Sequence, residues 1–236
     1  MLRFQMDDAA IGRKMSNIEA RQLPYATMLA LNDTAADALA LIQRQMDVVF
    51  DRPTRFTKNA FHVWRATKDA LVAEVKERPS VGPRHYLKVQ ERGGVRPQTG
   101  VEKLLSTRLA YSGIIAAVIP AARAKRDAFG NWSSGERNQA LSGLGAQRDR
   151  AANTTAASAR RNRNRATFFV PDEGELSPGI WRRNTDGSID KIALFTESMP
   201  SYKPRLGFYE TAKAEAQEKF PAHFARRFAQ AIATAR

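Results

Sequence analysis

Cysteine is absent from the 236 residues. That removes disulfides, thiolate metal sites, cysteine nucleophiles and thiol redox chemistry together. Histidine is nearly absent too. His62, His85 and His223 stand far apart, with no HxxxH or HExxH spacing, so no metal centre is written as a local motif. No GxxxxGK[ST] loop, GxGxxG turn or GxSxG elbow occurs. Asp7-Asp8 and Glu173/Glu175 are short acidic pairs lacking the further acids that two-metal nucleases use. No stretch approaches the roughly 18 consecutive apolar residues of a membrane span. The opening Met1–Asp8 carries early acids and no apolar region of the kind that marks a secretory signal. The expectation is a non-enzyme without metal or cofactor, made in the cytosol and used there or in an assembly built there.

Basic charge is abundant: 38 Lys and Arg face 24 Asp and Glu, for a net charge of +14. Such an excess points to a polyanionic partner, whether nucleic acid, an anionic membrane face or an acidic protein surface. The hydrophobic share of 43% is that of a globular chain, so wholesale disorder is not expected.

Residues 16–51 read as a long helix. Ser16 and Glu19 have capping-box spacing, Pro24 is an alternative first-turn start, and Met28, Leu31, Ala35, Leu39, Ile42 and Met46 form the apolar stripe. Arg52-Pro53 stops it. Strands are expected over 60–66 and 70–77 around a Lys68-Asp69 turn, and again at His85–Val89, before Gly93-Gly94 breaks the chain. A short helix follows from Thr99 to Ala110, then an apolar strand from Ile114 to Ile119. Ser133 or Ser134 caps a helix running to about Leu144. Ala166–Val170, Gly179–Trp181 and Ile189–Phe195 read as an antiparallel meander, with a hairpin signal at Asp186-Gly187. The last helix runs from about Phe208 to Ala235. Phe220, Phe224, Phe228 and Ile232 recur on it at steps of four, a stripe suited to a sheet, and Pro221 is expected to kink or restart it. The sum is an α+β fold: long N- and C-terminal helices packed on a mainly antiparallel sheet. It reads as a single domain over 1–236, with 1–15 as an N-terminal arm.

Residues 145–166 break this texture. The small polar run Ala151–Ala159 leads into Arg160-Arg-Asn-Arg-Asn-Arg165, with nothing that builds a core, so a flexible or extended basic insertion is expected. Arg148, Arg150, Arg160, Arg161, Arg163 and Arg165 are the candidate interaction residues, opposed only by Asp149. Two readings stand: a solvated loop, or an arm that meets phosphate, an acidic partner or a neighbouring subunit. Zinc fingers, ribonucleoprotein aromatic motifs and a clear helix-turn-helix are missing, so the charge does not announce a sequence reader.

The order of features resembles a known group. Leu23-Pro-Tyr-Ala-Thr-Met-Leu-Ala-Leu-Asn-Asp-Thr-Ala35 is followed by a basic strand region, then His85-Tyr-Leu, Gly93-Gly94 and Asp127-Ala-Phe-Gly-Asn131. Later come Pro178-Gly-Ile-Trp181, Leu194-Phe195, Pro200-Ser-Tyr-Lys-Pro-Arg205, Phe208-Tyr209 and an Ala- and Arg-rich amphipathic helix. Together these resemble the tail-completion and minor tail proteins of tailed bacteriophages, the minor tail protein Z-like group. The resemblance covers most of the chain but not the Arg/Asn-rich stretch at 151–165. It implies a virion structural protein at the head–tail junction, a homo-oligomeric ring around the DNA channel with no catalytic residues. Its implied partners are portal, adaptor or tail proteins and packaged DNA through non-specific phosphate contacts. The alternative is a non-sequence-specific nucleic-acid-binding accessory protein.

Overall fold

The computed structural model describes residues 15–16, 18–81, 86–172 and 174–234. The expected N-terminal arm therefore lies, apart from Met15, outside the described residues, as do Asp7-Asp8, His85 and Glu173. Helix accounts for 46% and strand for 16%, and the strands pair antiparallel throughout, so the class is α+β. Where the sequence reading takes 1–236 as one domain, the backbone gathers into two compact units. One runs to Pro83 and resumes at Arg205; the other is Arg84–Pro204.

In the first unit a π-helical turn, Ile18–Gln22, leads into α1, Leu23–Val49, with Pro24 in its first turn. The helix buries Ala26, Ala30, Thr34, Ala35, Ala38, Ile42 and Met46. Met28, Leu31 and Leu39 of the expected stripe are only half-buried, because the seam follows the alanines that let a second helix come close. That second helix is the C-terminal one, Phe208–Ala233. The two run antiparallel. Gln45 donates to the carbonyl of Leu206 at 2.7 Å and accepts from Thr211 at 2.6 Å. Asp37 meets His223 at 2.7 Å, and Asp33 takes Arg226 at 3.0 Å and Arg227 at 2.7 Å.

The long helices thus pack on each other. α1 also supports a short ribbon, β1 (Phe61–Trp64) with β2 (Glu74–Glu77), and buried Phe208 stacks on Phe61 at 4.3 Å. Both strands are shorter than expected. The Ala66 backbone bonds the Asn32 side chain at 2.8 and 3.2 Å, which takes it out of the ladder. Phe220, Phe224 and Phe228 stack on one another at 5.9 and 5.7 Å but stay half-buried, and Ile232 is exposed. Each step of four residues advances about 40° beyond a full helical turn, so this stripe winds off the contact seam. Pro221 sits inside one continuous helix and does not restart it.

The second unit opens on a helix, Tyr86–Arg92, where the alternation at His85–Val89 suggests a strand. Leu87, Val89 and Gln90 are buried, and the two-residue period was too short to separate the two conformations. Gly93 and Gly94, at φ 75° and 94°, end it as expected. Next come the two-residue strand β3 (Gly94–Val95), which pairs with β8 (Ser201–Tyr202), a helix Gly100–Arg108 and a helix Ser134–Gly143. The central sheet has four strands: β4 (Ala117–Pro120), β5 (Thr167–Phe169), β6 (Gly179–Arg183) and β7 (Ile189–Thr196), in the order β4-β7-β6-β5.

β5, β6 and β7 are the expected meander. Gly179 is required where it stands: at φ 151° an added Cβ would fall 2.1 Å from the Ala193 carbonyl oxygen, beside the register shift at Ile180/Trp181. Leu105, Trp132, Ala140, Leu141, Ile180, Ile192 and Phe195 close the core under this sheet. Each large apolar side chain there contributes about 1.5–3 kcal/mol.

Candidate functional site

Two buried glutamates organise the second unit, and both come from helix N-termini. Thr99 and Glu102 form a capping box: the Glu102 N–H donates to Thr99 Oγ1 at 3.4 Å and the Thr99 N–H to Glu102 Oε2 at 2.6 Å. The same carboxylate takes a two-pronged Arg96 guanidinium at 2.6 and 2.7 Å and the Val118 N–H at 3.0 Å. Burial alone would raise the Glu102 carboxyl. The Arg96 pair and the Thr99 and Val118 N–H groups overcome this and hold it at about 2. Arg96 is raised above its usual range, chiefly by the same hydrogen bonds.

Ser133 and Glu136 repeat the spacing, with the Glu136 N–H donating to Ser133 Oγ at 3.2 Å. Glu136 accepts from the Trp132 indole at 3.0 Å, from the Lys125 N–H at 2.7 Å and from Arg182 at 2.6 Å. Arg182 turns its other prong to Asp190 at 2.8 Å, where Asn184 also donates at 2.8 Å. Hydrogen bonds from Asn184 and then Arg182 lower the Asp190 carboxyl. Sequence reasoning missed these acids as buried groups. The signal was present as T-x-x-E at 99–102 and S-x-x-E at 133–136. These networks are buried ion pairs braced by backbone donors, and they fix local geometry.

Upon this frame stands the basic segment, which takes a 3₁₀ turn and a short helix where an extended course is one expectation. Asp149 caps a 3₁₀ turn, Arg150–Ala152, accepting from the Ala151 N–H at 3.0 Å. Thr155 and Ser158 form a capping box that starts the short helix Ala156–Arg161. Ser142, at the end of the preceding helix, ties the segment down: its hydroxyl donates to the Ala152 carbonyl at 2.7 Å and its carbonyl accepts the Thr154 N–H at 3.0 Å. The Arg165 N–H bonds the Asn162 carbonyl at 2.9 Å and delivers the chain into β5. Small polar residues cannot build a core, but Ser, Thr, Asn and Asp satisfy backbone locally, and here that is enough.

Arg148, Arg150, Arg160, Arg161, Arg163 and Arg165 are all exposed. None makes an ion pair or side-chain hydrogen bond among the described residues. Arg165 lines a groove of about 760 Å³ whose walls include Asn138, Gln139, Gln147, Ser158 and Asn162. The segment presents six exposed cations, with Arg165 at a groove of mixed polar and apolar lining, an arrangement suited to binding anionic groups.

The histidines stand apart from this site. His62 is exposed on β1, edge-on to Trp64. His223 takes a hydrogen bond from Arg226 on Nδ1 and so directs Nε2–H to Asp37. Among the described residues no group of three or more His, Cys, Asp or Glu side chains is placed to hold a metal ion. No helix among them is long and apolar enough to cross a membrane. Comparison with known protein families, characterised proteins and solved structures finds no match to this chain.

Proposed function

We propose that this protein is a non-catalytic structural subunit of a tailed-phage virion. In this reading it acts at the head–tail junction or tail as a completion or neck-ring component bordering the DNA channel. The observation that carries the reading is the set of six exposed arginines, without side-chain partners among the described residues, on a segment tied to an ion-paired frame. The resemblance to the minor tail protein Z-like group supplies the setting. The net charge of +14, repeated around a homo-oligomeric ring, offsets phosphate repulsion where DNA passes. Portal, adaptor or tail proteins are its neighbours there.

A second reading, a non-sequence-specific nucleic-acid-binding accessory protein, draws on the same arginines. Replacing Arg160, Arg161, Arg163 and Arg165 with alanine separates the two. For a junction subunit, assembly with itself or a virion neighbour fails while the fold survives, and the isolated chain binds duplex DNA only weakly. For a nucleic-acid binder, the log–log salt slope of DNA affinity, about −0.9 per phosphate neutralised, flattens by up to about 3–4 units. Tight, sequence-specific DNA binding by the isolated chain at physiological salt overturns the junction reading.

A further inference from the structure

The central sheet has two edges, β4 and β5, and they are treated differently. β4 is partly occupied. The Val118 N–H is taken by buried Glu102 at 3.0 Å, and just before the strand the Gln98 side-chain amide occupies the carbonyls of Ile115 and Ala116 at 2.9 and 3.1 Å. Side chains held on an edge in this way obstruct the addition of another strand. β5 has β6 on one side and no strand on the other among the described residues. Its sequence, Thr167-Phe168-Phe169, favours strand and holds no lysine, proline or bulge, although at three residues it is a short edge.

The groove beside this open strand mixes apolar and polar groups. The 760 Å³ groove takes in Thr167 and Phe168 at one side and the α-helical residues Asn138 and Gln139 at another. The side-chain amides of Asn138 and Gln139 make no hydrogen bond among the described residues. Charge is distributed unevenly along the strand. Arg163 and Arg165 immediately precede Thr167, and Arg160 and Arg161 end the helix before them. Exposed Arg183, opposite Thr167 in register, lies 5.5 Å from the Phe169 ring centre. Past the far end stand Pro171 and exposed Asp172.

We propose that the outer edge of β5 and the adjoining groove receive an extended acidic segment of a neighbouring protein subunit, added as a fifth strand. Its backbone pairs with the free edge of β5, and its carboxylates meet Arg163, Arg165 and Arg183 at the Thr167 end. The open edge and free amides present both donors and acceptors to the occupant. A polypeptide backbone answers both, whereas a nucleic-acid backbone offers acceptors alone. The inference rests on the assembly reading only for the identity of the neighbour; the binding is a property of the isolated chain.

The test uses the full chain and a short fluorescent peptide alternating glutamate and valine. Three competitors accompany it: the same peptide N-methylated at alternate backbone nitrogens, a lysine–valine counterpart, and a short DNA duplex. The expected result is binding of the acidic peptide, with slowed hydrogen exchange across Thr167–Phe169. N-methylation, exchange of glutamate for lysine, or the double substitution Arg163→Ala/Arg165→Ala each weakens binding by at least about tenfold. The proposal is overturned by equal affinity for the N-methylated peptide, by unchanged exchange at Thr167–Phe169, or by tighter binding of duplex at the same salt. A failure here with the protein still present in virions removes the strand-docking proposal alone. Peptide binding by a protein absent from virions removes the virion reading alone.

Discussion

Glu102→Gln isolates the buried ion pair on which the basic segment's unit depends. The substitution keeps shape but removes the charge that Arg96 meets with two prongs at 2.6 and 2.7 Å. Arg96, only 16% exposed, is left without its counter-ion. Depression of the Glu102 carboxyl from 4.5 to about 2 corresponds to about 3 kcal/mol, at 1.36 kcal/mol per pH unit. Breaking one side of a buried pair costs about 3–5 kcal/mol in general, so the two routes agree.

The sign in pH follows. A carboxyl depressed in the folded state stabilises fully above its unfolded value and loses that contribution as pH falls through the folded one. Urea unfolding followed at neutral pH and at steps down to about pH 2 reads both quantities. The variant is expected to lose about 3 kcal/mol at neutral pH. The gap to the parent narrows as pH falls below 4.5 and closes near 2. Equal stability at neutral pH, or a gap that does not change down to pH 3, would refute the reasoning.

Other consequences are as specific. Phe208→Ala, which removes a buried ring stacked at 4.3 Å on Phe61, is expected to cost about 3 kcal/mol or more. Phe224→Ala, from the half-buried ladder, should cost less than half of that, and equal losses in chemical unfolding would return the ladder to the core. Gly179→Ala forces a Cβ 2.1 Å from the Ala193 carbonyl oxygen; a destabilisation of more than about 1 kcal/mol is expected, and an unchanged melting temperature would contradict the geometry. Asp33→Asn removes the negative charge and one of the two acceptor oxygens that meet Arg226 and Arg227 between the long helices. Since hydrogen bonding by Arg227, ahead of the opposing burial and the Arg226 bond, lowers the Asp33 carboxyl, the loss of stability should fade as pH drops below the usual aspartate range. Indifference to Asp33→Asn at neutral pH would show that this pair does not hold the helices.

Much of this architecture was legible because its causes are local. The meander at 167–196 announces itself through β-branched and aromatic runs separated by Ser177-Pro-Gly179 and Asp186-Gly187. The helix starts at Thr99 and Ser133 lie in their capping residues. What escaped sequence reading depends on partners distant in the chain. The seam of α1 follows Ala26, Ala30 and Ala38 because another helix must approach them, and no period within α1 says so. The Phe220–Ile232 stripe has the spacing of a core face, but steps of four wind away from a straight contact. His85–Val89 carries an alternation that a single helical turn satisfies equally well. The arginines at 148–165 were visible as charge. Their placement on a 3₁₀ turn and a short helix was hidden because it comes from Ser142, Asp149 and Thr155 bonding backbone, and such residues read as loop when no core residue accompanies them.

The central claim is a place in a particle, so electron microscopy of purified virions tests it most directly. The account predicts density for several copies of this fold closed into a ring at the head–tail junction or tail. The arginines from Arg148 to Arg165 should face a neighbouring subunit or the channel. Virions that carry no copy of the chain, with the protein recovered instead as free monomers on nucleic acid, would contradict it.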